Sequence, residues 1–146
     1  MILVKRFLLT LIAVAAVQVA FAQEVNVWKD LSNVSYKIGE DDFGELYVPD
    51  FSDKIKSLEG TEVTADGYII PFEGMFKPEH IILSSLPLAE CFFCGAGGPE
   101  TVMEVMLKDP IKYTSKRVQV KGTLVLNEKD PEKLMYILKD AQLISK

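Results

Sequence analysis

The sequence predicts a mainly β protein, a small OB-like antiparallel barrel entered through a short N-terminal helical lead-in. Three observations predict it. Val63, Ala65, Gly67 and Ile69 alternate with Glu62, Thr64, Asp66 and Tyr68, and Val118, Val120, Gly122, Leu124 and Leu126 alternate with Arg117, Gln119, Lys121 and Thr123. Alternation with a period of two is the pattern of half-buried strands. Each of these stretches carries a glycine in mid-strand, where it weakens pairing and marks a bulge or a sharp coil. Helical spacing, by contrast, is confined to two short pieces before residue 60. Strongly bent strands let a five-stranded sheet close on itself. The other arrangement this pattern allows is an open antiparallel sheet with two incidental glycines.

The chain has 146 residues, two cysteines and a formal net charge of -5. It divides into an export signal over residues 1–22, a lead-in with a short helix over 23–56 and an OB-like β domain over 57–146. Lys5 and Arg6 form the positive start of the signal, an apolar run follows from residue 7, and Ala20 and Ala22 are the small residues a signal peptidase reads. The competing reading is a retained membrane anchor. The apolar stretch is short of the ~20 residues a span requires, and no basic cluster follows it. With no cysteine beside the cleavage point, a lipid anchor has no attachment site. Cleavage removes Lys5 and Arg6 and no acid, leaving a net charge of -7. Such a charge argues against nucleic acid, whose binders need a basic footprint. Membrane contact is then limited to the signal segment before cleavage, and the mature protein is expected in the periplasm or secreted.

In chain order, Trp28 and Leu31 stand three apart and predict a helical turn that docks an aromatic anchor on the body. Asn33-Val34-Ser35 is a formal glycosylation acceptor. Residues 39–45, acidic and bounded by Gly39 and Gly44, read as a surface loop without the calcium-loop pattern. Phe51, Ile55 and Leu58 predict a two-turn helix, capped by Asp50 or Ser52 and closed by Gly60. After the first alternating strand comes a short apolar strand over residues 80–84. Residues 102–107 are strand-like, although Pro99-Glu100-Thr101 also opens a helix by its composition. A turn over 127–131 precedes a last apolar run over 134–144.

The chemical feature is Glu90-Cys91-Phe92-Phe93-Cys94-Gly95, which holds both cysteines. Two residues between thiols followed by glycine lets backbone amides curl round the pair, which suits a metal knuckle. A complete zinc site takes about four ligands. His80 is the one imidazole of the chain, and Glu90, Glu100, a water or a second copy of the chain are the remaining donors. Met75, Met103 and Met106 would be the soft donors for copper. Cys91, Cys94 and His80 are therefore the candidate metal ligands, for zinc or copper. Two other readings stand beside this one: a loop disulfide, which an exported location favours, and a redox-active pair, which wants a thiol acidified by a helix start. His80 alone reads more readily as a hydrogen-bonded strand-edge histidine than as a ligand. Hydrolase and nucleotide motifs are absent from the sequence.

Trp28-x-x-Leu31, Phe51, Leu58-x-Gly60, Val63, Gly67-Tyr68-Ile69-Ile70-Pro71, Ile82-Leu83-Ser84, Cys91 and Val118-x-Val120-x-Gly122-x-Leu124 together carry a resemblance. The chain resembles a family of small exported domains of unknown function, some of whose members are encoded near cell-envelope ABC transporter components. The resemblance implies an OB-like barrel in the periplasm and a transport-linked accessory role, with a cell-envelope protein such as an ABC transporter component as partner. In that family the turn carries Cys-x-His followed by prolines. This chain has Cys91-x-x-Cys94 and glycines instead, a departure that keeps a sulfur at Cys91 and alters the rest of the ligand set. The expectation is an exported, non-enzymatic binding or accessory module with a metal half-site, which a homodimer would complete. The alternatives are a thiol–disulfide protein and a purely structural disulfide.

Overall fold

The computed structural model describes residues 26–41, 44–71 and 79–145. The expected export signal over residues 1–22 lies outside them, as do Asp42 and Phe43 of the acidic stretch and Met75. No helix among the described residues is long and apolar enough to cross a membrane. Two short helices, α1 (Trp28–Leu31) and α2 (Asp53–Leu58), flank a hairpin of β1 (Ser35–Asp41) and β2 (Gly44–Asp50). Five strands follow: β3 (Glu62–Ile70), β4 (His80–Ser84), β5 (Val102–Leu107), β6 (Val118–Leu126) and β7 (Tyr136–Ser145). They close into a barrel in the order β3-β4-β5-β7-β6. This is the five-stranded closure of an OB-type fold. Four seams are antiparallel, as the alternating pattern predicts, and the β5–β7 seam is parallel.

The two glycine-bearing strands are neighbours. Val63 faces Gly122, Ala65 faces Val120 and Gly67 faces Val118. Their odd and even positions sort as expected: Val63, Ala65 and Ile69 of β3 and Val118, Val120 and Leu124 of β6 are buried in the core. Both glycines are places where another backbone comes too close for a side chain. A Cβ on Gly67 would run into the carbonyl of Ser84, and one on Gly122 would lie 2.8 Å from the Lys139 carbonyl oxygen and 2.9 Å from Ala141 Cα. The bulge that Gly122 signals lies on its partner. Between Thr123↔Lys139 and Lys121↔Gln142, β7 carries one residue more than β6. Between Val105↔Leu138 and Leu107↔Ala141 it also carries one more than β5. Asp140 within that extra stretch has φ +51.

The 108–117 connection between β5 and β6 holds no helix, and the lead-in packs into the core from the other end of the barrel. Val27, Trp28, Leu31, Phe51 and Ile55 join one buried cluster with Val63, Leu124 and Tyr136. The polar groups carried in with them are paired, as buried polar groups must be. Trp28 Nε1 donates to the Asp66 carbonyl at 2.8 Å, and the buried Tyr136 hydroxyl donates to the Leu31 carbonyl at 2.7 Å. Phe51 lies 5.7 Å from the Tyr136 ring, centroid to centroid. The α2 cap is Ser52, whose side chain accepts from the Ile55 amide. Gly60, at φ +72, ends the segment. Pro99–Thr101 forms a single tight turn and hands over directly to β5, so both features read there are present in succession.

One expectation is corrected. The acidic stretch bounded by glycines is not a plain surface loop: its described residues belong to the β1–β2 hairpin, paired from Ser35↔Asp50 to Asp41↔Gly44. The reason is cross-strand pairing at a distance along the chain. Ile38↔Tyr47 and Tyr36↔Pro49 are apolar pairs diluted by charged neighbours, so neither strand shows a clean period by itself.

Two substitutions test this packing. Gly67→Ala is expected to lower stability in urea unfolding by about 1–3 kcal/mol, the usual range for forced overpacking. Gly39→Ala, whose Cβ would sit 3.4 Å from Val48 Cγ2, is the tolerated control. Tyr136→Phe leaves the Leu31 carbonyl unpaired and is expected to cost about 1–3 kcal/mol by the same measurement.

Candidate functional site

Both cysteines lie in the 85–101 loop that joins β4 to β5. Its neck is closed by hydrogen bonds from the Ser85 amide (2.9 Å) and hydroxyl (3.2 Å) to the Thr101 carbonyl. The loop is a chain of single tight turns, Leu88–Glu90, Phe92–Cys94 and Pro99–Thr101. Cys91 sits in extended backbone between the first two. From there the chain curls, with the Cys94 amide donating to the Cys91 carbonyl and the Gly95 amide to the Phe92 carbonyl, each at 3.0 Å. Gly95 takes φ +83 to end the turn, a conformation glycine adopts without a steric penalty.

That curl gives the two thiols different surroundings. Cys91 is fully buried in a small cluster with Ile70, Ile82 and Val102, against which Phe92 and Leu134 pack. Cys94 is exposed. The sulfurs are 3.7 Å apart, and Cys94 Sγ lies 2.9 Å from the Leu88 carbonyl oxygen, to which it donates. The hydrogen bond shared with Cys91 holds the Cys94 thiol above its ordinary range, and desolvation and the negative charge of a Cys91 thiolate push the same way. A second proton leaving the pair would place two thiolates side by side. The Cys94 thiol is thus not acidified in the manner of an attacking thiol at a helix start.

The hairpin leans on the same loop. Tyr36 Oη donates to Glu100 Oε2 at 3.0 Å, and burial together with the neighbouring carboxylate pushes the Tyr36 phenol well above its usual range. Between hairpin, cysteine loop and the 127–135 turn lies a cavity of about 320 Å³, walled by Tyr36, Tyr47, Phe92, Leu134 and Met135 among others.

His80 is not brought to the cysteines. It opens β4, whereas the cysteine loop leaves from the far end of that strand at Ser84, roughly 13 Å further along at the rise of a strand. Its Nε2 lies 3.1 Å from Glu104 Oε2, and the other oxygen of Glu104 accepts the Leu134 amide at 2.8 Å. Met103 is buried in the main core, and Met106 lies across from His80 on β5. Among the described residues no group of three or more His, Cys, Asp or Glu side chains is placed to hold one metal ion. Among the described residues the turn thus offers two sulfurs and no third donor, where a zinc centre takes about four. Glu104, the partner of His80, escaped the sequence reading. The available signal was a lone carboxylate inside the apolar run Val102-Met103-Glu104-Val105-Met106-Leu107, since such a residue is buried only when paired.

Alkylation of the native protein is expected to modify Cys94 first and Cys91 only after unfolding. The Cys94 rate should rise with pH to a midpoint above that of a free thiol, and Cys91→Ala should bring the midpoint down. An unchanged midpoint in Cys91→Ala would remove the shared hydrogen bond as its cause. Comparison with protein-family models, with curated proteins and with solved structures returned no match for this chain.

Proposed function

We propose that this protein is an exported binding module of the cell envelope, in the periplasm or secreted, in which Cys91 and Cys94 close to a disulfide that clasps the β4–β5 loop against the barrel. The observation that carries the clasp is a pair of thiols 3.7 Å apart, one buried and one exposed, with no third donor from the described residues. Oxidation removes both thiol hydrogens and joins the two sulfurs, while an oxidised thiol–disulfide carrier of the envelope is reduced to its dithiol. The raised pKa of the Cys94 thiol disfavours the thiolate that reduction would release, so a bond formed once is kept rather than turned over. The clasped loop then holds Glu100 under Tyr36 and fixes the hairpin beside it. The export pattern of residues 1–22 and the family resemblance support the location and the accessory role with an envelope partner.

The test equilibrates the purified protein in glutathione buffers of graded potential and follows free thiols, zinc content and thermal stability together. A disulfide with a strongly reducing potential, zinc-free, whose reduction or Cys94→Ser lowers the melting temperature by several degrees, is the expected outcome. A midpoint in the range of thiol–disulfide oxidoreductases would favour redox turnover. Stoichiometric zinc in the reduced protein, lost in either serine variant, would restore the metal reading and point to a donor from a second copy of the chain.

A further inference from the structure

Beside the His80–Glu104 pair, the outer surface of β4, β5 and β7 carries a groove of about 520 Å³. Its volume falls in the range of small-molecule sites. The groove lies beside the bulge in β7. The extra residue there, set against both β5 and β6, swings the 139–141 segment away from regular pairing. Asp140 is the one non-glycine residue with positive φ among the described residues. Bulges next to sites re-aim side chains, and left-handed backbone away from glycine gathers at ligand-holding positions.

The wall chemistry is two-sided. Ile137 forms an apolar floor with Met106, which is 44% exposed although it lies mid-sheet, and Leu107, a member of the main core, borders it. Around the floor stand Lys108, Lys133 and Lys139, a local excess of cations on a chain whose net charge is -5. Lys133 is engaged with Asp130 at 2.9 Å, whereas Lys108 and Lys139 have no ion-pair partner among the described residues. The acids of the groove are Glu104 and Asp140. Glu104 is buried and already committed, one oxygen to His80 and the other to the Leu134 amide. That pairing fixes the His80 end of the groove as a rigid wall.

From this placement we infer that the groove binds an amphiphilic organic anion, an acidic headgroup on an apolar body. Lys108 and Lys139 take the headgroup, and Met106 and Ile137 receive the body. The inference does not rest on the state of the cysteines, neither of which lines the groove. Carboxylate and phosphate headgroups share the required chemistry, and the test separates them.

The purified protein is titrated with octanoate, octyl phosphate, octanol and inorganic phosphate while its backbone amide resonances are followed. Octanoate or octyl phosphate is expected to shift the amides of residues 104–108 and 137–141, more weakly at high salt. Whichever of the two binds more tightly identifies the headgroup. Lys108→Gln with Lys139→Gln should weaken that binding about tenfold, with an unchanged melting temperature because both side chains are exposed. Met106→Glu, also at an exposed position, should abolish it. Octanol binding as tightly as octanoate, inorganic phosphate binding as tightly as octyl phosphate, an unaltered affinity in the double variant, or shifts confined to other residues would each overturn the inference.

Discussion

Everything in this fold depends on two points where backbone must pass within reach of backbone. Gly67 and Gly122 lie on adjacent strands, and at each a single methyl would collide with main chain. A sheet of five strands closes only if some strands coil tightly, and a strand coils tightly where a side chain is missing. The two glycines serve different neighbours. Gly67 lets β3 pass over the end of β4, and Gly122 lets β6 accept the bulged stretch of β7. The first holds the beginning of the cysteine loop in place and the second shapes the lysine-rimmed groove.

The closed barrel has its ends managed in unlike ways. At the end where β7 begins, the lead-in contributes Trp28, Leu31, Phe51 and Ile55 to the main core, and its polar atoms are paired with barrel main chain or with Tyr136. The lead-in is thus part of the core rather than an appendage, which explains why so short a helix as α1 persists: an isolated four-residue helix has no stability in water, and tertiary packing supplies it. The same end carries the cysteine loop, whose buried Cys91 roots it in a small satellite cluster. At the far end lie His80 and Lys108, on one side of an open groove that runs along β5 and β7.

Burial and exposure also divide the chemistry of the two candidate regions. At the cysteine turn a buried sulfur and an exposed one share a hydrogen bond, so the pair is poised for one covalent step. At the groove a buried carboxylate is satisfied internally and the unpaired charges are all at the rim, which is the arrangement for reversible contact rather than covalent chemistry.

The sequence alone determined the two glycine-bearing strands and the short β4, α2 with a cap at Asp50 or Ser52, and the presence of a bend at each mid-strand glycine. Those features are written in local periodicity and in residues whose backbone preferences act over a few positions. It also determined that Cys91 and Cys94 face each other, because a Cys-x-x-Cys turn brings its own ends together. Only the tertiary structure decided the rest. Tyr36 and Ile38 became strand residues through partners nine to thirteen positions away, His80 found Glu104 across a strand pair, and the parallel β5–β7 seam joined segments some thirty residues apart. The exposure of Cys94 against the burial of Cys91, the bulge at Asp140 and the meeting of Lys108 with Lys139 arise the same way. Each is set by which strand lies next to which, and the free energy that selects such neighbours comes from burying many residues at once, so no local pattern records it.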